Sequence, residues 1–101
     1  MYKLRYLPLA LKDLEDIIDY IADELKAPIA AMDLLTAVES GIERLLDHPY
    51  SCRVYQSDRP LNHEYRVLTV KNYLVFYVVL EGIVEIHRVV FGKRNLPQVI
   101  K

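Results

Sequence analysis

The residues best suited to chemistry cluster in the second half of the chain. Arg66, Arg88, Lys93 and Arg94 are interleaved with Tyr65, Tyr73, Tyr77 and Phe91, and His63 and His87 fall among them. A guanidinium offers a planar fork of donors that matches phosphate. Aromatic rings stack on bases, and an imidazole moves protons near neutral pH. Together these side chains suit a nucleic-acid site on a sheet. The same residues also suit a tyrosine-rich sheet whose exposed face is polar. Residue types alone favour that second reading, because a net charge of −1 lacks the basic footprint of an RNA-dwelling protein.

Other chemistries find little support. The three glycines, Gly41, Gly82 and Gly92, are too scattered to form a phosphate-cradling loop. There is no G-x-S-x-G elbow. His48 and Cys52 are four apart but straddle Pro49 and have no second pair of ligands, so no metal site is expected. No cofactor is implied either. Asp13, Glu15, Asp16, Asp19, Asp23 and Glu24 crowd one stretch, where their helical phase suits a solvated face or a partner contact better than paired acid–base groups.

The elements that must position these residues follow from the apolar pattern. Residues 2–6 alternate weakly, as a short strand would. Pro8 suits the first turn of a helix, and Leu11, Leu14, Ile17, Ile18, Ile21 and Leu25 follow at spacings of three and four. Ala27-Pro28 interrupts that helix. A second one is predicted from Pro28 to Asp47, with the stripe Ala31, Leu34, Leu35, Val38, Ile42, Leu45 and Leu46. The short connection makes an antiparallel helix hairpin. Residues 49–62 are polar and aperiodic. Then come three strands, Tyr65–Val70, Tyr73–Leu80 and Ile83–Phe91, joined at Lys71-Asn72 and Glu81-Gly82. Asn72 is expected to take the positive φ of the first turn. Three strands and two tight turns make an antiparallel meander. The central run, Tyr73–Leu80, hardly alternates and is expected to be covered on both faces. The fold class is therefore α+β, an N-terminal strand and an antiparallel helix hairpin packed on an antiparallel β-sheet that ends in the meander.

Length and composition bound the function. Residues 1–101 make one domain, and 52% hydrophobic with 27% charged residues is globular. No apolar run approaches the roughly 20 residues that span a bilayer. The N-terminus lacks the apolar core of a signal peptide, so a cytoplasmic location is expected, with no membrane partner. The single Cys52 fits a reducing compartment. Charge is uneven: residues 1–50 hold five basic and ten acidic side chains, a balance of −5, and residues 51–101 hold eight basic and four acidic, a balance of +4. A basic half can meet phosphate or an acidic partner.

The order of elements, with Tyr65-Arg66-Val67-Leu68, Asn72-Tyr73-Leu74-Val75-Phe76-Tyr77, Ile86-His87-Arg88-Val89-Val90 and Phe91-Gly92-Lys93-Arg94, resembles the RelE/ParE superfamily of bacterial type II toxin–antitoxin systems, of the plasmid-stabilisation type. Leu14, Ile17, Tyr20-Ile21 and Pro49 also fit, so the resemblance spans roughly residues 2–96. It implies a growth-arresting toxin neutralised by a cognate antitoxin. RelE-like members cleave messenger RNA on the ribosome without a metal, with basic groups around the scissile phosphate. ParE-like members poison DNA gyrase. Arg66 and Arg94 match two RelE basic positions, and His87 is available as a proton carrier; these three are the catalytic candidates if the chain cuts RNA. The other RelE positions fall on Leu68, Leu74 and Ile100, which supply no donors where charge develops. The resemblance is thus somewhat closer to ParE, with Arg66, Tyr73, Arg88, Lys93 and Arg94 as the expected binding set. A ribosome-dependent endoribonuclease and a non-toxic antitoxin-binding relic are the alternatives.

Overall fold

A computed structural model describes residues 1–92. The chain runs β1 (Lys3–Tyr6), α1 (Pro8–Asp19), a π turn over Tyr20–Glu24, α2 (Pro28–Asp47), β2 (Arg66–Val70), β3 (Tyr73–Leu80) and β4 (Ile83–Phe91). Both helices start with proline in the first turn, where its missing N–H and preset φ cost nothing. The π turn extends α1 to Leu25, whose N–H bonds back to the Tyr20 carbonyl. Lys26 then takes a φ of 51° and turns the chain into α2.

β2, β3 and β4 form the expected antiparallel meander, and β1 joins it in parallel beside β4, giving a mixed sheet of order β1-β4-β3-β2. The tight turn after β2 differs in one detail from its expected form. Lys71, not Asn72, holds the positive φ, at 53°. At the second turn Gly82 does so, at 71°, where a glycine has no Cβ penalty.

The helices cover one face. The Tyr2 N–H bonds to the Leu46 carbonyl, so α2 ends where β1 begins. α1 starts at the other end of β1, and the two helices therefore run antiparallel across a three-residue connection. Leu34, Val38, Ile42 and Leu45 of α2 meet Leu68, Val75, Tyr77, Val84 and Ile86 of the sheet in the main core. Gly41 lets α2 come close to β2: a Cβ there would stand 3.0 Å from a Leu68 methyl. The α1 stripe is rotated from its predicted phase. Ala10 is fully buried, while Leu11 and Leu25 are 51% and 55% exposed. The small side chain allows the close helix–sheet approach, and Leu14, Ile17, Ile18 and Ile21 line the core edge.

The opposite face is not bare. The segment between α2 and β2 folds over it and places Tyr55, Leu61 and Tyr65 on Val67, Leu74, Phe76, Val78 and Val90. The segment is tied to β2 by an isolated bridge between Val54 and Arg66. β3, one of the two interior strands, is therefore covered on both faces, as its unbroken apolar run implies.

Candidate functional site

β4 carries one more residue than its partner. Tyr77 pairs with Ile86 and Phe76 with Arg88, so His87 is left between two rungs. Such a bulge bends the strand and re-aims side chains. His87 turns to the outer face and joins a polar chain. Its Nε2 lies 2.7 Å from Glu85 Oε1, and its Nδ1 lies 3.0 Å from the Tyr65 hydroxyl. A carboxylate only accepts, so Nε2 carries the proton that meets Glu85. The other Glu85 oxygen accepts from Arg5 on β1, at 2.7 Å from Nε and 2.6 Å from the terminal nitrogen. Burial alone would raise the Glu85 pKa, but the hydrogen bonds from His87 and Arg5 outweigh it and hold the carboxyl below its ordinary value. Burial, with the Glu85 charge adding to it, pushes the Tyr65 phenol up. The His63 ring packs edge-on against His87 at 5.4 Å. The His87 and Glu85 side chains are only 11% and 10% exposed.

Arg66 is on the other face. It stands opposite Tyr77, which belongs to the helix-side core. Its guanidinium donates to the carbonyls of Cys52 at 2.7 Å and Tyr50 at 3.3 Å, and lies 5.0 Å over the Tyr50 ring. Tyr77 donates to the Pro49 carbonyl at 2.8 Å; burial raises its pKa strongly, which keeps it a donor. Arg66 and Tyr77 thus fasten the chain that leaves α2.

Arg88 forms a third, separate unit. Its Nε and one terminal nitrogen donate to the two oxygens of Asp13 on α1, at 2.7 and 3.0 Å. Asp13 also accepts from the Val89 N–H at 3.0 Å. β1 ends opposite Ile86, so beyond that point the edge of β4 has no strand beside it among the described residues, and Asp13 satisfies the amide instead. Hydrogen bonding to Asp13 raises the Arg88 pKa against the burial that would lower it. Tyr73 lies near this edge, edge-on to Phe91 at 5.6 Å. Burial, with the nearby Tyr20, raises its pKa.

Of the expected RNA-cleaving set, then, Arg66 and His87 lie on opposite faces of the sheet. Arg94, like Lys93, lies outside the described residues. Leu68 and Leu74, at two of the positions where RelE-like proteins carry basic groups, are core residues on the two faces. Among the described residues no cluster of three His, Cys, Asp or Glu side chains could hold a metal ion. No helix among them is long and apolar enough to cross a membrane.

Residues 4–96 match the family model of the ParE toxin of the type II toxin–antitoxin system parDE. The chain belongs to the ParE toxin family. A solved structure from the chromosomal ParDE toxin–antitoxin system of P. aeruginosa shares the fold of this ParE-family chain. Its TM-score is 0.74 at 20% identity, over 92% of this chain and 98% of that one. No curated protein matches the sequence.

Two acids of this ParE-family chain escaped sequence reasoning. The run of acids around Asp13 suits a solvated face, yet the Asp13 side chain is 13% exposed and ties α1 to β4. The signal was its phase: Asp13 lies three residues after Ala10 and four before Ile17, on the inward side of α1. Glu85 sits among apolar residues of β4, and a lone acid in such a run signals a buried partner.

Proposed function

We propose that this ParE-family toxin acts by binding a protein target, DNA gyrase, and not by cutting messenger RNA. The observation that carries the reading is the separation of Arg66 and His87 onto opposite faces, each held by intramolecular partners. Phosphoryl transfer needs donors converging where charge develops. The near-neutral charge and the apolar Leu68 and Leu74 favour the same side. Gyrase itself comes from the resemblance to ParE-like toxins. Under this reading residues 1–101 work as one domain in the cytoplasm. A cognate antitoxin encoded alongside silences it, and Tyr73 and Arg88, with Lys93 and Arg94 from outside the described residues, are the groups expected to meet the target.

The test adds the purified chain to two reactions. Gyrase supercoiling should fall, and messenger on translating ribosomes should stay whole. Specific cuts in a translated message, lost in Arg94→Ala, would overturn the reading in favour of a ribosome-dependent nuclease. No effect on supercoiling, translation or growth would make the chain an antitoxin-binding relic.

A further inference from the structure

A furrow of about 270 Å³ runs between α1 and α2, lined by Leu11, Leu14, Glu15, Ile18, Asp19 and Leu35. All six belong to the helices and none to the sheet, so the furrow opens on the outer side of the hairpin. Its floor is apolar, and neighbouring side chains extend it. Leu11 is 51% exposed. On α2, Met32 and Ile29 precede Leu35 at steps of three, which puts them on one face of the helix, and they are 57% and 77% exposed. Exposed apolar surface of this kind, rimmed by polar residues, marks a protein contact.

The charge around the furrow selects the occupant. Residues 8–47 hold ten acids and three bases, a balance of −7. Asp13 is engaged by Arg88 and Asp16 by Lys12. Glu15 and Asp19 on the rim, and Asp33 beside Met32, are exposed and form no ion pair among the described residues. A second copy related by a twofold axis would set this patch against itself, with like charges opposed. Nucleic acid and lipid surfaces are anionic and are repelled in the same way. The complementary occupant is a protein segment with an apolar stripe and basic flanks. The shape calls for a helix. From Leu11 to Ile18 the floor is roughly two helical turns long, about 11 Å, and a groove between two helices takes the apolar stripe of a third through anchors spaced i, i+3, i+4 and i+7.

We propose that the outer furrow of the helix hairpin docks a basic amphipathic helix of the toxin's protein target. Lysines or arginines of that helix meet Glu15 and Asp19, and its apolar stripe covers Leu11, Ile18, Met32 and Leu35. The inference rests on the reading that gyrase is the target, since an enzyme that handles DNA carries basic surface. It adds a second contact to the one expected around Tyr73, which lies with Asp13 and Ile17 on the sheet side of α1.

The test uses the full chain, a Glu15→Lys, Asp19→Lys double variant and gyrase holoenzyme. Both positions are exposed, so the variant should keep the circular dichroism and Tm of the parent. Surface plasmon resonance on immobilised gyrase should show affinity falling at least about tenfold in the double variant, because two attractive rim contacts become repulsive. Affinity for the cognate antitoxin should not change. Met32→Ser, also at an exposed position, probes the apolar stripe independently and should weaken gyrase binding too. Carbodiimide joins a carboxylate directly to a lysine amine, and in the parent complex it should link the furrow's acids to a lysine-bearing helix of gyrase. Equal gyrase affinity in parent and variants, with the parent inhibiting supercoiling, would sink this inference alone and leave the gyrase reading standing. A parent that neither binds nor inhibits gyrase would remove the reading and the inference with it. Weakened antitoxin binding in place of weakened gyrase binding would assign the furrow to the antitoxin. A dimer in sedimentation that the double variant disrupts would assign it to a second copy, and either result overturns the proposal.

Discussion

Replacing Asp13 with alanine removes the acceptor for two bonds from Arg88 and one from the Val89 amide. The ion pair joins the helix to the sheet across 75 positions of sequence. Both side chains are largely buried, 13% and 20% exposed, so water screens the pair only in part. Hydrogen bonds to charged groups contribute about 1.5–3 kcal/mol, and a buried amide left without a partner costs about 1 or more. Taking about 2 kcal/mol for the pair and about 1 for the amide, the variant should lose about 3 kcal/mol. That is a large share of the roughly 5–15 kcal/mol that stabilises a domain. For a chain of this size it lowers Tm by roughly 12–24 °C. Asp13→Asn keeps an acceptor for the amide but gives up the charge, and should lose about half as much. A double-mutant cycle of Asp13→Ala with Arg88→Met isolates the pair, with an expected coupling of about 1–2 kcal/mol. The assay is urea denaturation followed by circular dichroism on the purified chain and its variants. A loss of less than about 0.5 kcal/mol for Asp13→Ala, the range of an ordinary surface change, would refute the reasoning.

Val38 is fully buried at the centre of the α2 stripe, so Val38→Asp should unfold the chain at a cost of several kcal/mol; a variant with native circular dichroism would contradict the packing. Arg66→Ala should lower stability by about 1–3 kcal/mol by freeing the Cys52 and Tyr50 carbonyls and should speed proteolysis between residues 50 and 65, whereas a variant of unchanged stability and protease sensitivity would show that Arg66 does not fasten the segment. Glu85 has a lower pKa folded than unfolded, so its contribution is present above the unfolded value of 4.5 and is lost as pH falls through the folded one. Glu85→Gln should therefore flatten the acid limb of the stability–pH curve, and equal acid slopes for parent and variant would count against the Arg5–Glu85–His87 chain.

Local pattern made much of this fold legible. The α2 stripe needs only its own period, so Leu34, Val38, Ile42 and Leu45 are buried as their spacing implies. The meander is written in short range too, since each turn lies between the strands it joins. The long apolar run of β3 announced a strand covered on both faces. What tertiary structure decided is non-local. Which edge β1 would take, and that it would run parallel to β4, depends on a contact between residues 3–6 and 83–86. The phase of α1 was settled by Ala10 against the sheet, which turned Leu11 outward and Asp13 inward. The candidate site was less legible still. Residue types identify Arg66, His87 and Arg88 as able to hold charge or move protons, but a side chain's role depends on what it meets. One bulged residue in β4 sends His87 to the outer face with Tyr65 and Glu85, while strand register leaves Arg66 on the helix face. No local period encodes that divergence, because it arises only when strands far apart in sequence come into register.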